Sequence, residues 1–136
     1  MKRILCSTII SGSRKTIGNI VVVLILAGCT SKIDLEGFDQ ENWKRDRFGC
    51  EGLRYNMKGV LSISSNQLLG SSQHQILQTF GSPDQRELYE KNQQFFIYLL
   101  EPGPKCGADS VRGSVSSFQI RFNAIGQVSE VVLKEF

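Results

Sequence analysis

Histidine is nearly absent from this chain: His74 is the only one in 136 residues. With one imidazole and no local cluster of cysteines or carboxylates beside it, a metal centre is not expected. His74 itself falls at the polar start of a helical segment and reads as an exposed surface residue. The chain also lacks a C-x-x-C pair, a glycine-rich phosphate loop, a Ser, His and Asp arrangement and an isolated carboxylate pair. No catalytic residue is therefore assigned, and an enzyme is not expected. Glu101 beside Pro102 and Asp84 beside Pro83 read as turn residues rather than as an acid and base. Long apolar runs are missing too, since the stretch at 17–26 falls well short of the roughly 20 apolar residues that cross a bilayer.

That stretch has a more specific meaning. Lys2, Arg3, Arg14 and Lys15 precede it, and it ends in Leu26-Ala27-Gly28-Cys29 before a polar segment. These four residues resemble the lipobox of bacterial lipoproteins. Small side chains at Ala27 and Gly28 let a peptidase bind the chain extended, and the Cys29 thiol is the lipid acceptor. Residues 1–28 are thus expected to be a lipoprotein signal peptide cleaved between Gly28 and Cys29. Residues 29–37 would form a lipidated tether, and 38–136 a single α+β domain. The lipid on Cys29 is the only covalent group expected, with no other cofactor. At about 0.8 kcal/mol per buried methylene, several acyl chains hold the protein at a membrane. Thr30 stands where an Asp would signal inner-membrane retention, which favours a periplasm-facing location on the outer membrane.

Cleavage also removes the basic excess. All four basic residues of the signal leave with it, taking the 16 in the chain to 12 against an unchanged 13 acidic ones. The whole-chain charge of +3 belongs to targeting, and a nucleic-acid partner is not expected. Cys6 leaves with the signal and Cys29 carries lipid, so Cys50 and Cys106 remain as a pair in an oxidising compartment. A disulfide between them is expected. Closing a loop of about 57 residues would stabilise the fold by about 4 kcal/mol in the chain-entropy model.

Along the mature chain, Asp39 is placed to cap a short helix within 38–47 that carries Trp43 inward, and Gly49 interrupts it. A second helix is expected over 51–64, with Leu53, Met57, Val60 and Leu61 on one face. Ser72 and Gln75 form a capping box for a third over 72–80, where Ile76, Leu77 and Phe80 share a face before Gly81 and Pro83 stop it. The remainder alternates as β-structure. Expected elements are a short polar-edged strand at 87–90, a central strand at 94–100 apolar on both faces, a strand carrying Phe118, Ile120 and Phe122, an Asn123-Ala124-Ile125-Gly126 hairpin, and a strand at 128–134. Residues 101–114 form a Pro and Gly loop, either a binding loop or a disulfide-pinned connection.

Gly70, Ser72, Ile76, Phe80-Gly81 and Pro83, the aromatic strand at 96–98, and Phe118-x-Ile120-x-Phe122-Asn123-x-x-Gly126-x-Val128 together resemble the SmpA/OmlA (BamE-like) family of small outer-membrane lipoproteins. The resemblance spans 68–135. It implies an α-α-β-β-β domain, with two helices packed on one face of a three-stranded antiparallel sheet; here an extra short N-terminal helix precedes them. The lead-in at 38–64, with Trp43, Cys50 and Arg54, is longer than the family's, and the cysteine pair lies outside its pattern. The function implied is non-catalytic binding of an envelope protein in support of outer-membrane protein assembly or envelope integrity. The alternative is an inhibitor-like or ligand-binding periplasmic module that uses the open sheet face or the 101–114 loop. A concave aromatic patch around Phe95 and Tyr98 would favour it.

The anchor is directly testable. Cys29→Ala is expected to release the protein from the membrane fraction into the salt-washed supernatant. Retention of the variant after that wash would refute anchoring through Cys29.

Overall fold

The computed structural model describes residues 32–107 and 115–135. Gly28, Cys29 and the rest of the expected signal peptide lie outside the described residues, as does the 108–114 part of the expected loop. Among the described residues, no helix is long and apolar enough to cross a membrane.

Helix α1, Gln40–Arg45, begins where its cap predicts, with the Asp39 carboxylate accepting the Asn42 N–H at 3.0 Å. Trp43 is fully buried. The single helix expected over 51–64 forms instead as α2, Leu53–Asn56, and α3, Lys58–Ser64. At Met57 the N–H bonds back three residues to the Arg54 carbonyl at 3.1 Å, a 3-10 step that divides the two. The halves are pinned separately, α2 by buried Arg54 and α3 by Leu61 in the core.

Helix α4, Gln73–Phe80, carries both halves of the expected capping box. Ser72 N–H donates to Gln75 Oε1 at 2.9 Å, and Gln75 N–H donates to Ser72 Oγ at 3.3 Å. The carbonyls at its C-terminal end are met by other elements. Gln78 O accepts from Lys44 Nζ at 2.7 Å, Phe80 O from Trp43 Nε1 at 3.1 Å, and Gly81 O from the Tyr98 hydroxyl at 2.9 Å. Helix α4 is therefore docked onto α1 and the sheet through groups it would otherwise leave unsatisfied.

Four antiparallel strands form a meander in the order β1-β2-β3-β4: Gln85–Tyr89, Gln93–Leu99, Ser117–Phe122 and Val128–Lys134. The α+β class is as expected; the three strands that the resemblance implies are corrected to four, the number of strand segments read from the residues themselves. The strand beyond the family's three is β1, which runs from Gln85 rather than from the expected residue 87. All five of its residues are exposed, so it carries no alternation of burial from which to judge its length. Strand β2 is an inner strand, as its apolar sequence requires.

Register places Phe96 opposite Ile120 and Tyr98 opposite Phe118 on one face. That face meets Trp43, Leu61, Leu68, Ile76 and Phe80 to form the core. The Trp43 ring lies at its centre, 5.4 to 6.2 Å from those of Phe38, Phe80, Tyr98 and Phe118. Asn123 Oδ1 accepts the N–H groups of Ile125 and Gln127, closing the β3–β4 hairpin at the expected residues.

The expected tether is shorter than 29–37. Leu35 is only 4% exposed and Ile33 packs against the core, so folded structure begins well before residue 38. Two isolated apolar residues among polar ones gave too short a pattern to reveal this. Leu35→Ala is accordingly expected to lower unfolding free energy by about 2 to 3 kcal/mol in chemical denaturation, whereas a residue in a free tether would cost nothing.

Candidate functional site

The polar architecture converges on the corner where α1 and α2 meet the end of β2. Arg54 lies one turn and two turns before Met57 and Leu61 on the apolar stripe, and its side chain is almost completely buried. Its Nε donates to Trp43 O at 3.0 Å, and its Nη1 donates to Asp84 Oδ2 at 2.5 Å and Leu99 O at 3.3 Å. The guanidinium carbon lies 4.8 Å from the Trp43 ring centroid, within cation–π range. Asp84 accepts further from the N–H groups of Leu99 at 2.9 Å and Phe48 at 3.3 Å. Asp46, also buried, accepts from Glu51 N–H at 2.7 Å and Arg54 N–H at 3.0 Å, and so caps the start of α2 from seven residues upstream.

Cys50 and Cys106 form the expected disulfide at this corner, with Cα atoms 5.4 Å apart. It joins the 3-10 turn at Arg47–Gly49 to the segment after β2. Gly49 has φ +68, and a Cβ there would come within 2.7 Å of the Leu100 and Glu101 backbone. Only glycine allows the chains to approach this closely. Beyond it, Gly103 closes over Leu99 on the sheet face opposite the helices, where a Cβ would meet Leu99 Cδ1 at 2.8 Å. Glu101 accepts from Ser116 N–H at 2.9 Å, and hydrogen bonds from the Ser116 hydroxyl and N–H hold its carboxyl below the ordinary range. The described part of the loop, 101–107, is thus a pinned connection.

Arg54 and Asp84 are engaged on their polar atoms and shielded from solvent, so the corner acts as a clamp. Asp84 corrects the reading of this residue as a simple turn former. Among the described residues, no three His, Cys, Asp or Glu side chains are grouped to hold a metal ion. Tyr98 is fully buried and shares the core face, whereas Phe95 is half-buried on the opposite one. They do not form a concave patch. Burial pushes the Tyr98 hydroxyl well above its ordinary pKa, and its proton is committed to Gly81 O. His74 is exposed, as expected.

The other end of the sheet differs in character. Here lie the β1–β2 turn, with Lys91 and Asn92 at positive φ, and the β3–β4 hairpin. Leu88, Tyr89 and Ile125 are 82%, 66% and 77% exposed, and Tyr89 stacks edgewise on Phe95 at 6.1 Å. Strand β1 presents its free edge to solvent, pairing with β2 alone among the described strands. The β4 edge is partly closed, because Gly70 N–H donates to Val128 O and Val128 N–H to Ser71 O, both at 2.9 Å. An open edge beside exposed apolar side chains suits addition of an extended segment or packing against an apolar partner surface. Sequence reasoning found these strands and turns but missed this surface, since Leu88 and Tyr89 read as ordinary strand residues.

Arg54→Ala leaves Asp84 buried without its cation and is expected to cost about 3 to 5 kcal/mol of stability. Arg45→Ala, which removes an exposed pair with Glu51 at 3.5 Å, should cost less than about 1 kcal/mol. Paired denaturant titrations compare the two, and equal losses would show that Arg54 is not a clamp. No protein-family model, curated protein or solved structure matches this chain.

Proposed function

We propose that the protein is a non-catalytic lipoprotein of the SmpA/OmlA kind, anchored through Cys29 to the periplasmic face of the outer membrane. In this reading it binds an envelope protein and supports outer-membrane protein assembly or envelope integrity. The divided helix α2–α3 and helix α4 with strands β2, β3 and β4 would correspond to the family's α-α-β-β-β unit, with β1 and the short N-terminal helix α1 added to it. The observation that carries the binding role is the open β1 edge with Leu88 and Tyr89 exposed beside it. A rigid scaffold supports that edge: β1 pairs along its full length with β2, and β2 is clamped at its far end by Asp84 and Arg54.

The test is in-cell photo-crosslinking of the lipidated protein, with a photoreactive residue at Leu88, Ile125 or, as an exposed control on α3, Ser62. Capture of the same envelope protein from positions 88 and 125 but not 62, lost on Leu88→Arg, is the expected outcome. Equal capture from all three positions, or none, would overturn the assignment of this surface. Capture of a periplasmic enzyme whose activity falls on binding would replace the assembly role with the inhibitor-like one.

A further inference from the structure

The two edges of the sheet are finished differently. At the β4 edge the register with β3 shifts between Arg121 and Phe122, and Ser71 bridges the strand at Val128. Strand β1 has neither device. It pairs with β2 in one unbroken register, from Gln85 opposite Ile97 to Tyr89 opposite Gln93, and it contains no proline and no lysine. Natural sheet edges are commonly blunted by such residues, by bulges or by a covering segment. Alternate N–H and C=O groups of β1 are turned away from β2, and among the described residues no strand lies beyond them.

The side chains of this edge carry a charge pattern. Residues that face each other across a ladder share a face of the sheet. Arg86, opposite Phe96, therefore lies on the helix side with Leu88, while Glu87, opposite Phe95, lies on the outer side with Tyr89. The Arg86 guanidinium carbon sits 5.0 Å from the Phe96 ring centroid, and Tyr89 is held edgewise by Phe95. Neither Arg86 nor Glu87 forms a salt bridge among the described residues. A neighbouring strand thus meets a cation and an apolar chain on one face, and an anion and an aromatic ring on the other.

The same pattern disfavours a second copy of this chain. Identical edges join antiparallel about a two-fold axis normal to the sheet, which sets one residue against its own copy. The full-length pairing is centred on Glu87 and opposes two carboxylates. Moving the centre by one residue opposes Arg86 to its own copy, or leaves only residues 87–89 paired.

We propose that β1 accepts an extended segment of a partner protein as a further, antiparallel strand, selected by charge: an acidic residue faces Arg86, a basic one faces Glu87, and apolar residues face Leu88 and Tyr89. Read from its own N-terminus, the segment runs apolar, apolar, basic, acidic. Antiparallel addition continues the order of the sheet and is the more stable pairing per residue. Main-chain bonds hold the segment and side chains select it. The proposal rests on the reading of the β1 edge as the partner-binding surface and names what that surface takes.

The probe is an end-blocked peptide, Ser-Phe-Val-Lys-Glu-Thr-Ser, which sets its Lys against Glu87 and its Glu against Arg86. The control peptide exchanges Lys and Glu. Binding of each to the full lipidated protein in detergent micelles is followed through the β1 amide resonances. The first peptide is expected to bind about tenfold more tightly, because the control turns two attractive cross-strand pairs into repulsive ones. Added salt should narrow that gap. Arg86→Glu combined with Glu87→Lys, both at exposed positions, should reverse the preference, which a misfolded variant could not do. A photoreactive residue at Tyr89 should crosslink near the peptide's N-terminus, and one at Gln85 near its C-terminus. Equal affinities, no binding, an unreversed preference or the opposite crosslinking polarity would overturn strand addition. So would a dimer of the peptide-free protein whose copies crosslink through position 87. If the peptides fail while positions 88 and 125 still capture an envelope protein in cells, the binding surface stands and strand addition alone is refuted. Failure of both removes the surface itself.

Discussion

Arg54 ties four parts of the chain together from a buried position, bonding to the end of α1 through Trp43 O, to the end of β2 through Leu99 O and to the entry of β1 through Asp84, while its own backbone begins α2. A buried ion pair is a costly way to join elements, because both charges lose their hydration. Here that loss is offset by near-complete satisfaction: Asp84 takes two backbone N–H groups as well as the guanidinium, and Arg54 lies against the Trp43 ring. Geometry is what the arrangement secures. Trp43 can fill the core only in the orientation that lets its carbonyl face Arg54 and its indole N–H face Phe80 O. The disulfide and the close approach at Gly49 add a covalent and a steric lock to the same corner.

The molecule is consequently two-ended. At one end polar groups are buried, paired and cross-linked; at the other, two turns display apolar side chains beside an open strand edge. The sheet separates the clamped corner from the hairpins by the length of β2.

The stretches legible in the sequence are those whose determinants are local. The Ser72–Gln75 capping box, the Gly81 stop, the Asp39 cap and the Asn123 to Gly126 hairpin each depend on residues within a few positions of one another, and each formed as its residues imply. The Cys50–Cys106 pairing was legible for another reason, because the expected signal cleavage and lipidation leave these two as a pair. A trace of the clamp was present as well: Arg54 interrupts the apolar stripe that includes Met57 and Leu61, and a charge at such a position requires a buried counter-charge. Nothing local identifies Asp84, 30 residues away, as that partner.

What the chain determined by itself is therefore its set of capped helices and turns, its alternating strands, the Cys50–Cys106 disulfide and the expectation of an anchored N-terminus. Only the tertiary structure decided that β1 completes the sheet as an exposed edge, that Ile33 and Leu35 belong to the core, that the helix over 51–64 divides at Met57, and that Asp84 is the partner of Arg54. The physical reason is range. Capping and turn energies are settled between near neighbours, whereas burial and ion pairing depend on which distant segments the packed core brings together.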